Sequence, residues 1–258
     1  MSRAARLIAV PYDSGIRGWR MGGGPDRLLS VGLEDALRAA GHTVSTEHVE
    51  LPAGTTATEI AATFALAAQL ADRVRAARAD GALPIVLAGN CASAIGTLSG
   101  LDEAAPAILW LDAHADLNTP ETSRSGFLDG MALAIATGRC WTSLAASVPG
   151  FRPIPDANVC LIGARDLDPA EAGLLRASAI PDLSAADFPS RLPATLDTLR
   201  TRAETVYLHI DLDVLDPSAG RANSFATPGG LLLPQVLELI DTIRGRLQIG
   251  AVALTAYD

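Results

Sequence analysis

Three ionisable residues at alternate positions follow an apolar run near the middle of the chain. The segment AILWLDAHAD places Asp112, His114 and Asp116 directly behind AILWL. Because residues two apart in an extended segment share a face, Asp112 and His114 lie side by side, and a turn after them would bring Asp116 round to join them. Carboxylates with one imidazole suit a hard or borderline divalent ion such as Mn²⁺.

A second segment, LHIDLDVLDP, repeats this pattern later in the chain. The same spacing puts His209, Asp211 and Asp213 on one face, at or just past the end of an apolar strand. In open α/β folds, ligands bind in the crevice at the carboxyl ends of the strands. We therefore expect the two motifs to contribute to one site at that edge of the sheet.

The aspartates of these motifs need a counter-charge if they cluster. Asp112, Asp116, Asp211 and Asp213 would repel one another and resist burial unless a cation neutralised them. Two bridging carboxylates would allow a pair of ions to lie close together. The alternative interpretation is a set of solvated turn formers and helix caps, which is what an isolated Asp-x-Asp usually represents. The occurrence of the pattern behind two strands favours the metal site.

The elements that must position these motifs follow from the alternation of short β-branched runs with longer Ala/Leu-rich segments. This order predicts an α/β fold, with a doubly wound, mostly parallel sheet and helices on both faces, in a single domain over residues 1–258. The expected strands are RLIAVPY, HTVSTEHVEL, PIVLAG, AILWLDA, NVCLIGA, TVYLHIDLD and GAVALTAY. The expected helices are Asp26 to Ala40, Thr56 to Ala79, Asp129 to Thr137, Pro169 to Ala177 and Pro234 to Arg244.

The composition excludes several classes of function. The 258 residues carry a formal net charge of -9 and no Lys/Arg run, which disfavours binding to nucleic acid or to an anionic membrane. No segment approaches the length of a membrane span. The cysteines, Cys91, Cys140 and Cys160, lie far apart, so we expect neither a disulfide framework nor a structural zinc site. A soluble cytoplasmic protein with a small-molecule substrate is expected.

The two motifs carry a family resemblance. DAHADLNTP and HIDLDVLDP resemble the signature motifs of the arginase, agmatinase and formimidoylglutamase family, the ureohydrolases. These are binuclear manganese enzymes that hydrolyse C–N bonds of guanidino or formimino groups. The likeness covers nearly the whole chain and includes GWRMGGGPDRLL, PIVLAGNCASAIG, GARDLDPAE and ALTAYD. The resemblance implies an arginase-like fold and a homo-oligomer.

The resemblance also implies a set of metal ligands. By position, Asp112 and Asp211 would bridge the two ions, Asp116 would complete one site, and His114 with Asp213 would complete the other.

Further positions imply a subsite for an amino-acid-like substrate. Asn118 and Ser125 match residues that bind the substrate α-carboxylate in arginases, and Asp168 and Glu171 match residues that bind the α-amino group.

The first departure from the family is a cysteine. The family reads Gly-Gly-Asp-His-Ser at its first metal ligand, which is the histidine. This chain reads AGNCAS at the same place, so Cys91 stands in place of the ligand histidine. Two interpretations are open, a soft thiolate ligand in a manganese site and a small buried hydrophobic residue. The same cysteine, with NTPET and a Leu-x-Gly-Met segment, is similar to a divergent branch, the N-hydroxyarginine hydrolase of D-cycloserine biosynthesis.

Two further departures touch the reaction. Asp129 occupies the position at which arginases carry a histidine that is thought to transfer protons. Asp129 either takes over that role or caps the helix that it begins. Thr255 replaces the glutamate that holds the guanidinium, and the loss of such a charge-assisted hydrogen bond typically costs ~1.5–3 kcal/mol. His209 is expected to lie below the metals as a hydrogen-bonding group.

The leading hypothesis is therefore a manganese-dependent hydrolase in which a metal-activated water attacks a guanidino, N-hydroxyguanidino or formimino carbon. The alternative is a catalytically silent relative that binds a small ligand or serves as a partner subunit. The chain stops at Asp258, where relatives continue into a further helix, so we expect either a shortened domain or a cover supplied by another subunit.

Overall fold

Strands recur throughout the residues that the computed structural model describes, which are 4–51, 58–102 and 105–258. They are β1 (Ala4–Val10), β2 (Tyr12–Asp13), β3 (Ile16–Arg17), β4 (Thr43–His48), β5 (Leu83–Ala88), β6 (Ala107–Leu111), β7 (Val159–Ile162), β8 (Asp182–Leu183), β9 (Thr205–Asp211) and β10 (Gln248–Thr255). Eight of them form one sheet in the order β4-β1-β5-β10-β9-β6-β7-β8, and β2 and β3 form a separate hairpin. Every neighbouring pair within the eight-stranded sheet is parallel over the described residues.

Helices connect these strands. They are α1 (Gly24–Ser30), α2 (Leu33–Ala39), α3 (Glu59–Ala79), α4 (Ala94–Leu101), α5 (Ala132–Ala136), α6 (Thr142–Ala145), α7 (Pro169–Ala177), α8 (Phe188–Arg200) and α9 (Leu233–Arg244). Within the described ranges, none of these helices is long and apolar enough to cross a membrane.

The sheet separates two hydrophobic cores, as the alternation of side chains along a strand requires. In β6, Ile108 and Trp110 face the core that contains α3 and α4, whereas Leu109 and Leu111 face the core that contains α8 and α9. All five residues of β6 are buried. The expected α/β fold with helices on both faces of the sheet is confirmed, and its apolar strands are buried because helices cover both faces.

Several expected boundaries were wrong for identifiable reasons. The single helix expected from Asp26 to Ala40 is two helices, because Gly32 has a φ of +93°, which a right-handed helix cannot continue through. The expected strand through Asp213 ends at Asp211, where a 3-10 turn over Leu212–Val214 begins. Likewise, the expected helix from Asp129 starts as a 3-10 turn, and the α-helix runs only from Ala132 to Ala136.

Other differences concern the ends and the number of helices. The first two residues of the helix expected at Thr56, Thr56 and Ala57, lie outside the described residues, and α3 begins at Glu59 behind Thr58, whose side chain accepts a hydrogen bond from Ala61 N. Helix α8 was missed because prolines interrupt its pattern, including Pro193 inside the helix. Helix α4 was also missed, and it follows the Cys91 turn directly.

Parallel pairing brings four strand ends to one edge of the sheet. The central order β5-β10-β9-β6 places the residues after β5, the last residue of β10, the last residue of β9 and the residues after β6 next to one another. Cys91, Thr255, Asp211 and Asp112 occupy these positions. The register confirms the proximity, because Thr255 pairs with Ala88 on one side and with Asp211 on the other.

Glycines allow α4 to pack closely on α3. A Cβ atom at Gly96 would lie 2.6 Å from the carbonyl oxygen of Ala67, and one at Gly100 would lie 2.5 Å from that of Ala71. Because α4 continues from the turn that carries Cys91, this close packing also sets the position of the cysteine.

We predict that Gly96→Ala destabilises the protein by about 1–2 kcal/mol. The gain in helix propensity, about 1 kcal/mol, is outweighed by overpacking against a backbone oxygen, which typically costs about 1–3 kcal/mol. Chemical denaturation measures the difference. Gly173→Ala is the matched control, because the nearest atom to its new Cβ is Arg176 Nη2 at 3.9 Å, so this helix substitution should be neutral or stabilising. Equal stability gains in both variants would contradict the packing argument.

Candidate metal centre and active site

A cavity of about 260 Å³ opens at the carboxyl edge of the sheet. Nine of the residues singled out in the sequence line it, namely Cys91, His114, Asp116, Asn118, Asp129, Asp168, Glu171, Asp211 and Asp213. Asp112, only 1% exposed, lies behind this lining. The structure thus brings both aspartate motifs to one cavity.

The end of β6 holds Asp112 rigidly. Its Oδ2 accepts a hydrogen bond from Trp110 Nε1 at 3.0 Å, and its Oδ1 accepts one from the backbone N–H of His114 at 2.8 Å. The ring Nδ1 of His114 lies 3.3 Å from Asp112 Oδ1 and 3.5 Å from Asp213 Oδ2. His114 therefore joins the two motifs.

The end of β9 is tied to the neighbouring loops in the same way. Asp211 Oδ1 accepts from the backbone N–H of Asp213 at 2.8 Å, and Asp211 Oδ2 accepts from the thiol of Cys91 at 3.0 Å. Asp213 Oδ1 accepts from the backbone N–H of Ala113 at 3.2 Å. Each carboxylate is thus oriented by a donor from another part of the motif or from a neighbouring strand end.

Among the residues that the structure describes, two groups of side chains have potential ligand atoms within 4.8 Å of one another. One group contains Cys91, Asp112 and His209, and the other contains Asp112, His114 and Asp213. Asp112 belongs to both groups, which is the arrangement that a bridging carboxylate requires. Asp116 lines the cavity with a backbone φ of +51°, and its buried Oδ2 has no hydrogen-bond partner among the described residues.

Burial and mutual repulsion change the protonation of this cluster. Burial, followed by the charge of Asp213, raises the pKa of Asp112 to about 6. Burial, reinforced by neighbouring aspartates, also raises the pKa values of Asp116 and Asp211 well above the usual range. Without cations, the cluster therefore keeps protons at pH values well above ~4, where ordinary carboxyl groups lose theirs.

The aspartates and burial also change the pKa values of the two candidate ligands that are not carboxylates, His114 and Cys91. Burial disfavours the imidazolium of His114, but hydrogen bonding to Asp112 and its charge outweigh that effect and raise the pKa of His114 to about 9. Burial and the charge of Asp211 raise the pKa of the Cys91 thiol well above its ordinary value. The thiol is therefore a hydrogen-bond donor to Asp211 in the metal-free protein.

Asp129 is held by the cysteine loop. Its Oδ1 accepts from the backbone N–H of Ala92 and its Oδ2 accepts from Asn90 Nδ2, both at 3.0 Å. These donors belong to the turn after β5, so the carboxylate does not cap its own helix. Burial raises the pKa of Asp129 to about 7, although the hydrogen bonds from Ala92 and Asn90 lower it.

The residues matched to the substrate tail fall into different environments. Asn118 lies in the cavity wall and accepts a hydrogen bond from Thr122 Oγ1. Glu171 also lines the cavity, but its carboxylate accepts from the backbone N–H groups of Leu117 and Asp168, so it also fixes the start of α7.

Ser125 and Thr255 are not among the lining residues. Ser125 is exposed, and its Oγ accepts from the backbone N–H of Phe127 at 3.2 Å. Thr255 is 1% exposed and lies beside the Cys91 sulfur, with 3.3 Å between Oγ1 and Sγ.

Sequence reasoning missed several lining residues, including Met21, Asp166 and Asn223. It also missed an aromatic pair at the cavity, Phe127 and Phe225, whose stacked ring centroids are 6.0 Å apart. Asn223, Phe127 and Phe225 lie in irregular loops without periodicity, whereas Met21 lies in a 3-10 turn over Arg20–Gly23. The available signals were the segments GWRMGGGPDRLL and GARDLDPAE, which contain Met21 and Asp166, and the nearness of Phe127 to the Leu-x-Gly-Met segment.

His209 lies below the cavity edge, where the sequence placed it. Its ring stacks on Trp110 with 3.6 Å between centroids and an interplanar angle of 10°. Its Nδ1 lies 2.8 Å from the hydroxyl of Tyr207. Burial lowers the pKa of His209 to about 3, so the ring is neutral.

Comparison with known proteins places this geometry in context. The arginase family profile matches residues 3–255. The arginase of Bacillus subtilis (strain 168) is 30% identical over 245 residues, which cover 90% of this chain and 82% of that protein. The arginase of Brucella melitensis biotype 1 is 32% identical over 253 residues, covering 87% and 79%. The native structure of arginase from Bacillus caldovelox superimposes with a TM-score of 0.89 at 26% identity, over 100% of this chain and 91% of that one.

The family profile extends through both aspartate motifs, and the structural likeness extends over the sheet that positions them. On this evidence, the chain belongs to the arginase family.

Proposed function

We propose that this arginase-family protein, a metal-dependent hydrolase of C–N bonds, uses manganese to cleave an amino-acid-like substrate, with the N-hydroxyguanidino group preferred over guanidino and formimino groups. The observation that carries the proposal is the burial of Asp112, Asp116, Asp211 and Asp213 around one cavity. Such a cluster of like charges requires cations for full ionisation.

The chemistry of the residues fits manganese. Carboxylate oxygens and one imidazole are donors that Mn²⁺ accepts, and the buried Asp116 Oδ2 lacks any partner within the described protein. Cys91 is a softer donor, which favours a weaker second position. Asp112 and Asp211 would bridge the ions, with Asp116, His114, Asp213 and Cys91 as the remaining ligands. When bound, the ions supply an activated water as the nucleophile.

Asp129 is the proposed proton-transfer residue. It lines the cavity, and Asn90 and Ala92 hold its two oxygens so that the carboxyl group keeps one orientation. A group whose pKa lies near neutrality both accepts and releases protons effectively. Asp129 would therefore donate a proton to the leaving amine. His114 would act as a metal ligand and interact with the neighbouring carboxylates.

The cavity wall would orient the substrate tail. Asn118 and Asp168 supply an amide and a carboxylate to the cavity, and Glu171 reinforces the negative potential that attracts an α-amino group. Ser125 would contribute to carboxylate binding only after a change in its loop, because it does not line the cavity. Fixing the tail reduces the entropic cost of placing the reacting carbon.

The preference for an N-hydroxyguanidino group follows from the neutral residue at 255. Thr255 offers no carboxylate to pair with a guanidinium and lies outside the cavity lining. An N-hydroxyguanidine is a weaker base than a guanidine because its hydroxyl withdraws electrons, so its neutral form is accessible near pH 7. An N-hydroxyguanidino substrate therefore loses less binding free energy than arginine does when a neutral residue replaces the carboxylate partner.

The proposal includes a cytoplasmic homo-oligomer built from a single domain over residues 1–258. The three cysteines are free and buried, which suits a reducing compartment. Leu232, Leu233 and Leu237 are exposed at the start of α9, which is the kind of apolar surface that a second copy would cover.

A product screen tests the substrate class. With Mn²⁺ present, we expect hydroxyurea release from N-hydroxyarginine with a kcat/KM about 10–100-fold above that for urea release from arginine, the ratio that a lost charge-assisted hydrogen bond implies. Formimino amino acids are assayed for formamide and ammonia. Release of no product from any class, with no retained metal, would instead support a silent ligand-binding relative.

Asp211→Asn should abolish tight manganese binding and hydrolysis, because it removes one charge from a bridging ligand. The metal-free variant should be at least as stable as the unmodified protein, since asparagine is neutral and escapes the free-energy cost that burial and neighbouring charges impose on the Asp211 carboxyl. Elemental analysis and thermal melts with chelator measure both effects. Asp166→Asn, at an exposed cavity residue that is not one of the proposed ligands, is the control and should keep its metal. Unchanged metal content in Asp211→Asn would refute the ligand assignment.

The metal-free protein should lose stability as the pH rises from about 4 to about 7. The folded state holds protons on Asp112, with a pKa of about 6, and on Asp129, with a pKa of about 7, after the unfolded chain has released them. The raised pKa values of Asp116 and Asp211 act in the same direction. The pKa of His209, lowered to about 3, has the opposite effect on stability, but it is one group against four.

Manganese should reverse this trend, because its binding displaces those protons and becomes stronger as the pH rises. Melting curves at pH 5 and pH 8, with chelator and with Mn²⁺, provide the comparison. A chelated protein whose stability rises steadily across this range would contradict the raised pKa values.

A further inference from the structure

The Cys91 thiol lies within a buried set of hydrogen-bonding side chains. The Cys91 sulfur lies between two oxygens, 3.0 Å from Asp211 Oδ2 and 3.3 Å from Thr255 Oγ1. Cys91 and Thr255 are 2% and 1% exposed, so no bulk water competes for these contacts. Thr255 is therefore a defined polar neighbour of the thiol.

The position of Thr255 follows from the sheet. Strand β10 lies between β5 and β9, so its last residue fills the gap between the Cys91 turn and Asp211. The hydroxyl has two further neighbours, because Oγ1 lies 3.4 Å from the carbonyl oxygen of Ile210 and 3.4 Å from His209 Nε2. Its single proton is available to the Cys91 sulfur at 3.3 Å or to the Ile210 carbonyl, since the thiol directs its own proton to Asp211.

Two aromatic residues in turn fix His209. Tyr207 Oη lies 2.8 Å from Nδ1, and Trp110 stacks flat on the ring. If Tyr207 donates to Nδ1, the neutral ring has its N–H on Nε2, directed at Thr255 Oγ1. The indole of Trp110 also donates to Asp112, so this support connects both ends of the metal cluster.

We propose that Thr255, backed by His209 and Tyr207, is a positioning residue that holds the Cys91 sulfur against Asp211 and thereby maintains the Cys91-dependent metal position. The inference rests on the proposed function for the presence of manganese. It assigns Thr255 to support of a ligand, whereas the family resemblance assigned that position to substrate binding. A hydroxyl that directs a ligand atom typically accounts for a 10–100-fold change in metal affinity.

The test compares Thr255→Val, which deletes the hydroxyl, with Thr255→Ser, which keeps it. Chelator-treated proteins are titrated with Mn²⁺, and free ion is measured by electron paramagnetic resonance. Cys91→Ala identifies the ion that depends on the cysteine. We expect Thr255→Val to weaken that ion about 10–100-fold and to leave the other within a few-fold, whereas Thr255→Ser retains both. Tyr207→Phe should weaken the same ion to a smaller extent.

Ser99→Ala is the matched control for the loss of a buried hydroxyl. Ser99 is 1% exposed and donates to the carbonyl of Ile95, away from the cluster. This variant should lose some stability but no metal affinity. Circular dichroism on every variant separates loss of fold from loss of affinity.

A second readout needs no metal. The S–H stretching band of Cys91, isolated by infrared difference against Cys91→Ala, reports the hydrogen bond to Asp211. In Thr255→Val this band should broaden and shift toward the frequency of a free thiol, and in Thr255→Ser it should stay in place.

The outcomes separate this inference from the proposed function. Unchanged affinity in Thr255→Val, equal weakening of both ions, or loss in Thr255→Ser as large as in Thr255→Val would overturn the positioning role. Metal content unaffected by Cys91→Ala would overturn it too, while leaving the manganese proposal intact. If the unmodified protein binds no manganese, the proposed function fails, and the infrared band alone decides whether Thr255 orients the thiol.

Discussion

Electrostatic repulsion among buried carboxylates is the constraint on which the rest of the site depends. Asp112, Asp116 and Asp211 are each at most 5% exposed and lie at one edge of the sheet, where burial and mutual charge raise the pKa of Asp112 to about 6 and those of Asp116 and Asp211 well above the usual range. A protein gains nothing in stability from such a cluster. Its burial is understandable as preparation for cations, which replace the protons and relieve the repulsion at once.

The fold meets this constraint by making the surroundings of the carboxylates rigid. Parallel pairing brings the carboxyl ends of strands β6 and β9 side by side. Backbone N–H groups of the motifs themselves orient the acidic side chains. Trp110 both donates to Asp112 and stacks on His209, so one aromatic residue contacts the proposed ligand after β6 and the buried histidine of β9. The close packing of α4 on α3 continues this rigidity to the Cys91 turn. The proposed ligands are thereby held in place by the protein itself.

The sequence predicted those parts of the site that follow from local periodicity. The alternate spacing of Asp112 and His114, and of Asp211 and Asp213, places each pair at a strand end, and the α/β alternation places those ends at one edge. The contact between Cys91 and Asp211 joins residues 120 apart, so it depends on strand order, which periodicity does not determine. The same reason accounts for Thr255, whose place beneath the cysteine depends on β10 lying between β5 and β9. Asn223 and Phe225 come from an irregular loop, where no repeating pattern indicates which side chains face the cavity.

Cations are proposed to occupy the space between the two strand-end motifs. Anomalous X-ray diffraction from crystals grown with Mn²⁺, recorded on both sides of the manganese absorption edge, locates them. We expect a strong anomalous peak within coordinating distance of Asp112 and Asp211, with any second peak near Cys91 weaker than the one near His114. Well-ordered aspartates with no anomalous density between them, or manganese bound only at the protein surface, would contradict this proposal.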